Sequence, residues 1–184
     1  MPDGPRQISM PLGVVLRRRP GATRWARWSW RASAVMPGAP PAAFAVLREE
    51  GAATEYHAAT LPLTLHAADA EAYRANLATR TPSIYVVMRE RAGAEPPLEV
   101  TLVTASPYEG QDYADNGEDI VERVPMPPGL AAWVRDWALE HHAPEPFVKR
   151  KRDRVRTDRV QDGIGDARVR QPSDIYRAPG RRAS

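Results

Sequence analysis

Apolar and polar residues alternate with period two from Arg27 to Val35, "RWSWRASAV", and this alternation predicts a half-buried antiparallel strand. Trp28, Trp30, Ala32 and Ala34 share one face of it, and Arg27, Ser29, Arg31 and Ser33 share the other. The preceding run "LGVVLRRR", closed by "PGAT", supplies the hairpin partner. Tryptophans among arginines invite a stacking platform for single-stranded nucleic acid. Within one strand, however, rings and guanidiniums point opposite ways and cannot jointly clasp a base. The pattern therefore reads as a core face, with Trp25, near the turn, as the exception.

Beyond the break "MPGAPP", the runs "AAFAVLRE" and "TEYHAATLPLTLHA" predict further short strands, separated at Gly51 and interrupted at Pro62. "DAEAYRANLA" predicts a helix near 69–78, with Asp69 as its N-cap and Tyr73 and Leu77 at i, i+4. "SIYVVMRER" and "LEVTLVTA", joined by "AGAEPP", read as the clearest hairpin in the chain. Ser106, Pro107 and Glu109 then form S-P-x-E: the serine caps a helix over 107–115, proline fills the first turn, and glutamate reaches back to the serine amide. Asn116-Gly117 stops that helix in a left-handed turn. "EDIVERV" predicts another strand. "PMPPGLAAWVRDWALEHHAP" predicts a helix over 128–142, with Leu130, Trp133, Val134, Trp137 and Ala138 on one stripe and Pro144 beyond its end. Strands this closely spaced are joined by hairpins, not βαβ crossovers. The fold class expected is α+β: a single domain with one curled antiparallel sheet of about six or seven strands, short helices and a C-terminal amphipathic helix.

The chain of 184 residues is long enough for one ordinary core. Its net charge of +3 conceals an asymmetry, because the stretch from Phe147 onward carries 12 Lys or Arg against 5 Asp while the body is mildly acidic. That stretch has scattered apolar residues and a Pro/Gly-rich end, too little to offset ordering entropy. Residues 148–184 are therefore expected to be a basic, disordered tail. Residues 1–9, "MPDGPRQIS", are expected to be a flexible extension ahead of Met10, and 10–147 to form the globular domain. The apolar run Leu12 to Leu16 is too short for a signal-peptide core or a membrane span, so the expected location is the cytoplasm.

Candidate chemistry is sparse. The absence of cysteine removes disulfides, thiolate metal sites and cysteine nucleophiles together. Ser106 has no histidine near it in sequence to act as a base, and its capping role accounts for it. Asp112, Asp115, Glu118 and Asp119 lack the spacing and glycine of an EF-hand loop and read as a solvated acidic face. His141 and His142, adjacent on a helix, point about 100° apart and make no chelate by themselves. "GIGDAR" lies in the basic tail and follows no strand, so no phosphate loop and no cofactor is expected. The surfaces left for contact are the tyrosine helix, through Tyr108, Asp112 and Tyr113, and the basic segment Phe147, Lys149, Arg150, Lys151, Arg152 and Arg154. Exposed charge of that kind binds acidic surfaces weakly and without sequence selectivity.

The blocks "LPLTLHAADAEAYRANL", "PSIYVVMRE", "VTASPYEGQDYADNGEDIVERVPMPPGL" and "HHAPEPFVKRKRDR" resemble bacterial domain-of-unknown-function family 3305 over roughly Met10 to Arg154. The resemblance carries no catalytic residue. It implies an association by gene neighbourhood with molybdenum-containing formate dehydrogenases and their accessory proteins. Two classes stay open: a non-enzymatic accessory or protein-interaction module, whose partner would be a molybdoenzyme or its maturation factor, and a small-molecule or nucleotide-binding protein or enzyme with a pocket assembled from distant residues.

Overall fold

The computed structural model describes residues 4–142. The basic segment from Phe147, with Lys149, Arg150, Lys151, Arg152 and Arg154, lies outside the described residues. Seven strands and three α-helices follow one another in the order β1 (Gln7–Pro20), β2 (Trp28–Pro37), β3 (Ala43–Glu50), β4 (Ala53–His66), α1 (Ala70–Leu77), β5 (Ser83–Glu90), β6 (Leu98–Thr104), α2 (Pro107–Asp115), β7 (Ile120–Pro125) and α3 (Pro128–His141). The expected helices are there within a residue or two of their predicted ends. The class is α+β, and every strand pairing is antiparallel.

The strands do not make one sheet. They form a four-stranded sheet in the order β2-β1-β4-β3 and a three-stranded sheet in the order β6-β5-β7. The reason for the separation is visible at the seam. Where β2 runs beside β7, the backbone N–H of Ala32 donates to the Glu122 carboxylate at 2.6 Å, and the Arg31 guanidinium donates to the same carboxylate at 3.1 Å. A side chain thus takes the donor that a ladder carbonyl would otherwise take, and the edge is satisfied without continuing the sheet.

β1 starts at Gln7, which stands opposite His66 of β4, so the last residues of the expected N-terminal extension are strand. β4 also runs on through Pro62 without interruption. Pro62 sits directly opposite Pro11, past the end of the β3 pairing at Ala59, so its missing N–H costs no bond to β3. The face assignment of β2 holds from Trp28 to Ala32 and then changes. Val15 faces Ala34 and Leu16 faces Ala32, which leaves Ser33 as an extra residue; past this bulge Ala34 is exposed and Val35 is buried.

The core joins Leu12, Val14 and Leu16 of β1, Leu63 and Leu65 of β4, Ile84, Val86 and Met88 of β5, Tyr73 of α1, and Leu130, Val134 and Trp137 of α3. Each such side chain contributes about 1.5 to 3 kcal/mol. On α3, Leu130, Val134, Trp137 and Ala138 of the expected stripe are buried and Trp133 is half-buried against the core, while Leu139, off the stripe, is 64 % exposed. Among the described residues no helix is long and apolar enough to cross a membrane.

Two local details differ from the capping scheme. Asp69 makes no cap bond; instead the Tyr73 hydroxyl accepts the His66 N–H at 3.0 Å, and burial pushes the Tyr73 hydroxyl pKa up to about 12. Ser106 does cap α2, accepting the Glu109 N–H at 3.3 Å, but its own N–H goes to Thr104 Oγ1 at 3.0 Å and not to Glu109. Gly110 lets α2 press onto β5, since a Cβ there would stand 2.5 Å from the Tyr85 ring. A buried knot fixes α1 to the second sheet: the Asn76 side chain donates to the carbonyls of Ser83 and Ala105 at 2.7 and 2.8 Å and accepts the Ser83 N–H at 3.1 Å.

Candidate functional site

Period two splits the triplet Arg17-Arg18-Arg19 of β1, sending the central residue to one face and its neighbours to the other. Arg18 stands opposite Trp30 in the β1–β2 register and opposite Thr54 in the β1–β4 register. Its guanidinium therefore shares a face with the tryptophans of β2. It lies 4.3 Å from the Trp28 ring centre, 5.4 Å from Tyr56 and 5.9 Å from Trp30, a cation held over aromatic faces. Rings and guanidiniums diverge inside β2, but across the sheet the neighbouring strand returns a cation to the rings.

The rings themselves converge. Trp30 is 6.1 Å from Phe44 and 5.5 Å from Tyr56, and Phe44 is 6.1 Å from Tyr56. The backbones of β2 and β3 lie on opposite edges, three strand spacings or roughly 14 Å apart, so the rings meet because side chains converge over a curled sheet. Phe44 has φ of 50°, a left-handed conformation that a bulky residue rarely adopts. The ring cluster supplies the packing that offsets this strain.

Arg18 is half-buried, and its Nε is buried with no hydrogen-bond partner. It makes no ion pair among the described residues, whereas Arg17, Arg31, Arg48 and Arg89 all do. A half-buried cation without a carboxylate is costly, and the ring contacts offset only part of that cost. Beside it, Trp28 and Trp30 wall a cavity of about 470 Å³. The opposite wall is the turn between β5 and β6, from Glu90 through Gly93 and Glu95 to Leu98, with Ile120 of β7 completing it. Gly93 turns this loop with φ of 73°. Glu90 and Glu95 form no ion pair among the described residues, so the cavity presents apolar ring surface and two carboxylates, with Arg91 also on its wall, 3.9 Å from Glu99, and Arg18 against the Trp28 ring.

Of the expected contact residues, the described ones, Tyr108, Asp112 and Tyr113, do not line this cavity. Tyr108 and Asp112 lie exposed on α2, Tyr108 at 59 %, and Tyr113 is half-buried. Two carboxylates of that stretch, Asp115 and Asp119, are engaged. Gln111 donates to Asp115 at 2.7 Å, Asn116 to Asp119 at 2.6 Å, and Arg89 to Asp119 at 2.9 Å. The Asn116 amide, and after it the Arg89 guanidinium, hold the Asp119 carboxyl below the usual carboxylate range. Among the described residues no three metal-ligating side chains gather. His57 is buried with its Nε2 2.8 Å from Thr60 Oγ1, and His141 stacks on Trp137 at 3.8 Å. Both are in packing roles.

With this geometry in hand, comparison with known proteins gives one match. Residues 11–151 match the family described as "Protein of unknown function (DUF3305)". The chain belongs to the DUF3305 family. The DUF3305 match spans both sheets and all three helices, so the ring cluster and its cavity lie within the family's domain. No curated protein matches the chain, and no solved structure does.

Proposed function

We propose that this DUF3305 protein is a non-enzymatic accessory module that binds a partner polypeptide, with the cavity walled by Trp28 and Trp30 as its docking point. The observation that carries the reading is the combination at that cavity: half-buried rings, about 470 Å³ of open volume, and Arg18 stacked on the wall without a carboxylate of its own. Large aromatics and arginine dominate the energetics of protein interfaces. The partner class is a molybdenum-containing formate dehydrogenase or a protein that matures it. What supports that choice is the association by gene neighbourhood implied by the sequence blocks, which is independent of the geometry. The volume also suits a small molecule, and this is the alternative for the same cavity.

Capture of partner from the native cell by the full-length chain tests the proposal. Trp28→Ala is expected to weaken capture roughly 30-fold, as loss of an interface anchor does, with the fold intact by circular dichroism. Tyr108→Ala on α2 is the control and is expected to leave capture within about twofold of the parent. Capture that survives Trp28→Ala but is lost on truncation at Phe147 would move the contact to the basic segment. A low-molecular-mass species bound to the purified chain, displaced by Trp28→Ala, would favour the small-molecule reading.

A further inference from the structure

The outer arginines of the triplet serve the other face of the sheet, away from the rings. Arg17 stands opposite Arg31, and Arg19 stands opposite Ser29, in the β1–β2 register. Like charges directly opposite on one sheet face repel and normally destabilise the pair. Here they are retained, and with Ser33 they line a concavity of about 440 Å³. Arg17 is drawn away from β2, toward Glu50 at the end of β3 at 3.4 Å and toward Glu55, directly opposite on β4, at 3.9 Å. Arg31 is held through one nitrogen by Glu122 at 3.1 Å, and the other oxygen of Glu122 is taken by the Ala32 N–H at 2.6 Å. Arg48 shares Glu50 and Glu55, at 3.5 and 3.3 Å, and Arg19 makes no ion pair among the described residues, which leaves the group one net positive charge and several unused guanidinium donors.

Residues two apart on a strand lie about 6.6 Å apart, and directly opposite residues about 5 Å apart. Arg17, Arg19, Ser29 and Arg31 therefore root their side chains at the corners of a rectangle roughly 5 by 7 Å. A single carboxylate spans too little of it. A phosphate or diphosphate offers enough oxygens on different sides to be met by two guanidiniums and a hydroxyl together. The bulge at Ser33 brings a second hydroxyl to the rim, where its Oγ donates to the Val15 carbonyl at a long 3.4 Å and can turn to a better acceptor. From these observations we propose that the Arg17, Arg19 and Arg31 concavity is a binding site for a phosphate-bearing ligand, separate from the aromatic cavity and independent of the function assigned to it.

The test is a titration of the isotope-labelled full-length chain, with backbone amide signals of residues 17–33 as the readout, so that binding by other basic segments is not counted. Sodium pyrophosphate is the first probe, acetate the control, and phosphatidylglycerol vesicles the second arm. Pyrophosphate is expected to shift those signals saturably at roughly millimolar concentration or below, and acetate to leave them in place. Arg19→Gln and Arg31→Gln are each expected to weaken binding roughly tenfold, and Arg24→Gln, on the exposed turn, to leave it unchanged. A response to vesicles alone, lost in Arg19→Gln, also supports the oxyanion site and assigns the phosphate to a lipid headgroup. Titration curves for Arg19→Gln that overlay the parent would overturn the proposal, as would the absence of a response to either probe.

Discussion

Asn76 and Arg18 are both polar side chains drawn out of water, and the chain settles them in opposite ways. The amide of Asn76, wholly buried, meets two carbonyls and an N–H at the junction of α1, β5 and the start of α2. The guanidinium of Arg18 lies over rings with its Nε unbonded and no carboxylate among the described residues. A satisfied buried group specifies architecture, because removing it strands its partners. An unsatisfied one adds little to stability and leaves binding capacity open. The difference predicts that the first can be broken only at the expense of the fold, and the second at the expense of function alone.

The largest effect should therefore come from Asn76→Ala, which leaves the Ser83 N–H and two carbonyls without partners in the interior. A loss of about 2 to 4 kcal/mol in urea denaturation is expected. A loss below about 1 kcal/mol would mean that the knot does not hold α1 to the second sheet. Ser106→Ala removes the α2 cap and should lower stability by about 0.5 to 2 kcal/mol, leaving partner capture unaltered. If it were fully stable yet failed to capture, the serine would have a role in recognition that the cap does not describe.

The smallest effect concerns pH. The Asp119 carboxyl is depressed in the folded chain, so it stabilises the fold above its unfolded value of about 3.9, and this contribution is lost as pH falls through the lower folded value. Asp119→Asn should therefore be slightly less stable than the parent at neutral pH and should show a flatter acid limb, the two curves converging at low pH. Parallel curves across the acid range would show that Asn116 and Arg89 do not favour the charged form.

Much of the architecture was legible in the sequence, and for a physical reason. Strand alternation, the S-P-x-E start of α2 and the proline-led α3 are local patterns, and local chemistry decides them. The division into two sheets was not legible, because it turns on Glu122 reaching the Ala32 N–H across 90 positions. The bulge at Ser33 was hidden likewise, since one extra residue leaves the composition of the run unchanged. The candidate site shows the limit most plainly. The stretch from Ser106 to Asp119, dense in hydroxyls and carboxylates, satisfies much of its own polarity within a few residues. The "RRR" of β1 carries no motif, yet it supplies the cation over the Trp28 ring and two of the three arginines of the second concavity. Period two alone would have split the triplet, but only the register could say that Arg18 meets Trp30 and Arg17 meets Arg31.

The most direct measurement compares stability and partner capture in one variant, Arg18→Met, which keeps a long side chain over the rings and removes the charge. Replacing a half-buried, unpaired cation by an apolar side chain of similar length is expected to leave the urea midpoint within about 1 kcal/mol of the parent, or to raise it, while capture weakens roughly tenfold. An Arg18→Met chain that loses about 3 kcal/mol of stability and still captures partner as the parent does would contradict the account, because Arg18 would then belong with Asn76 among the groups that hold the fold.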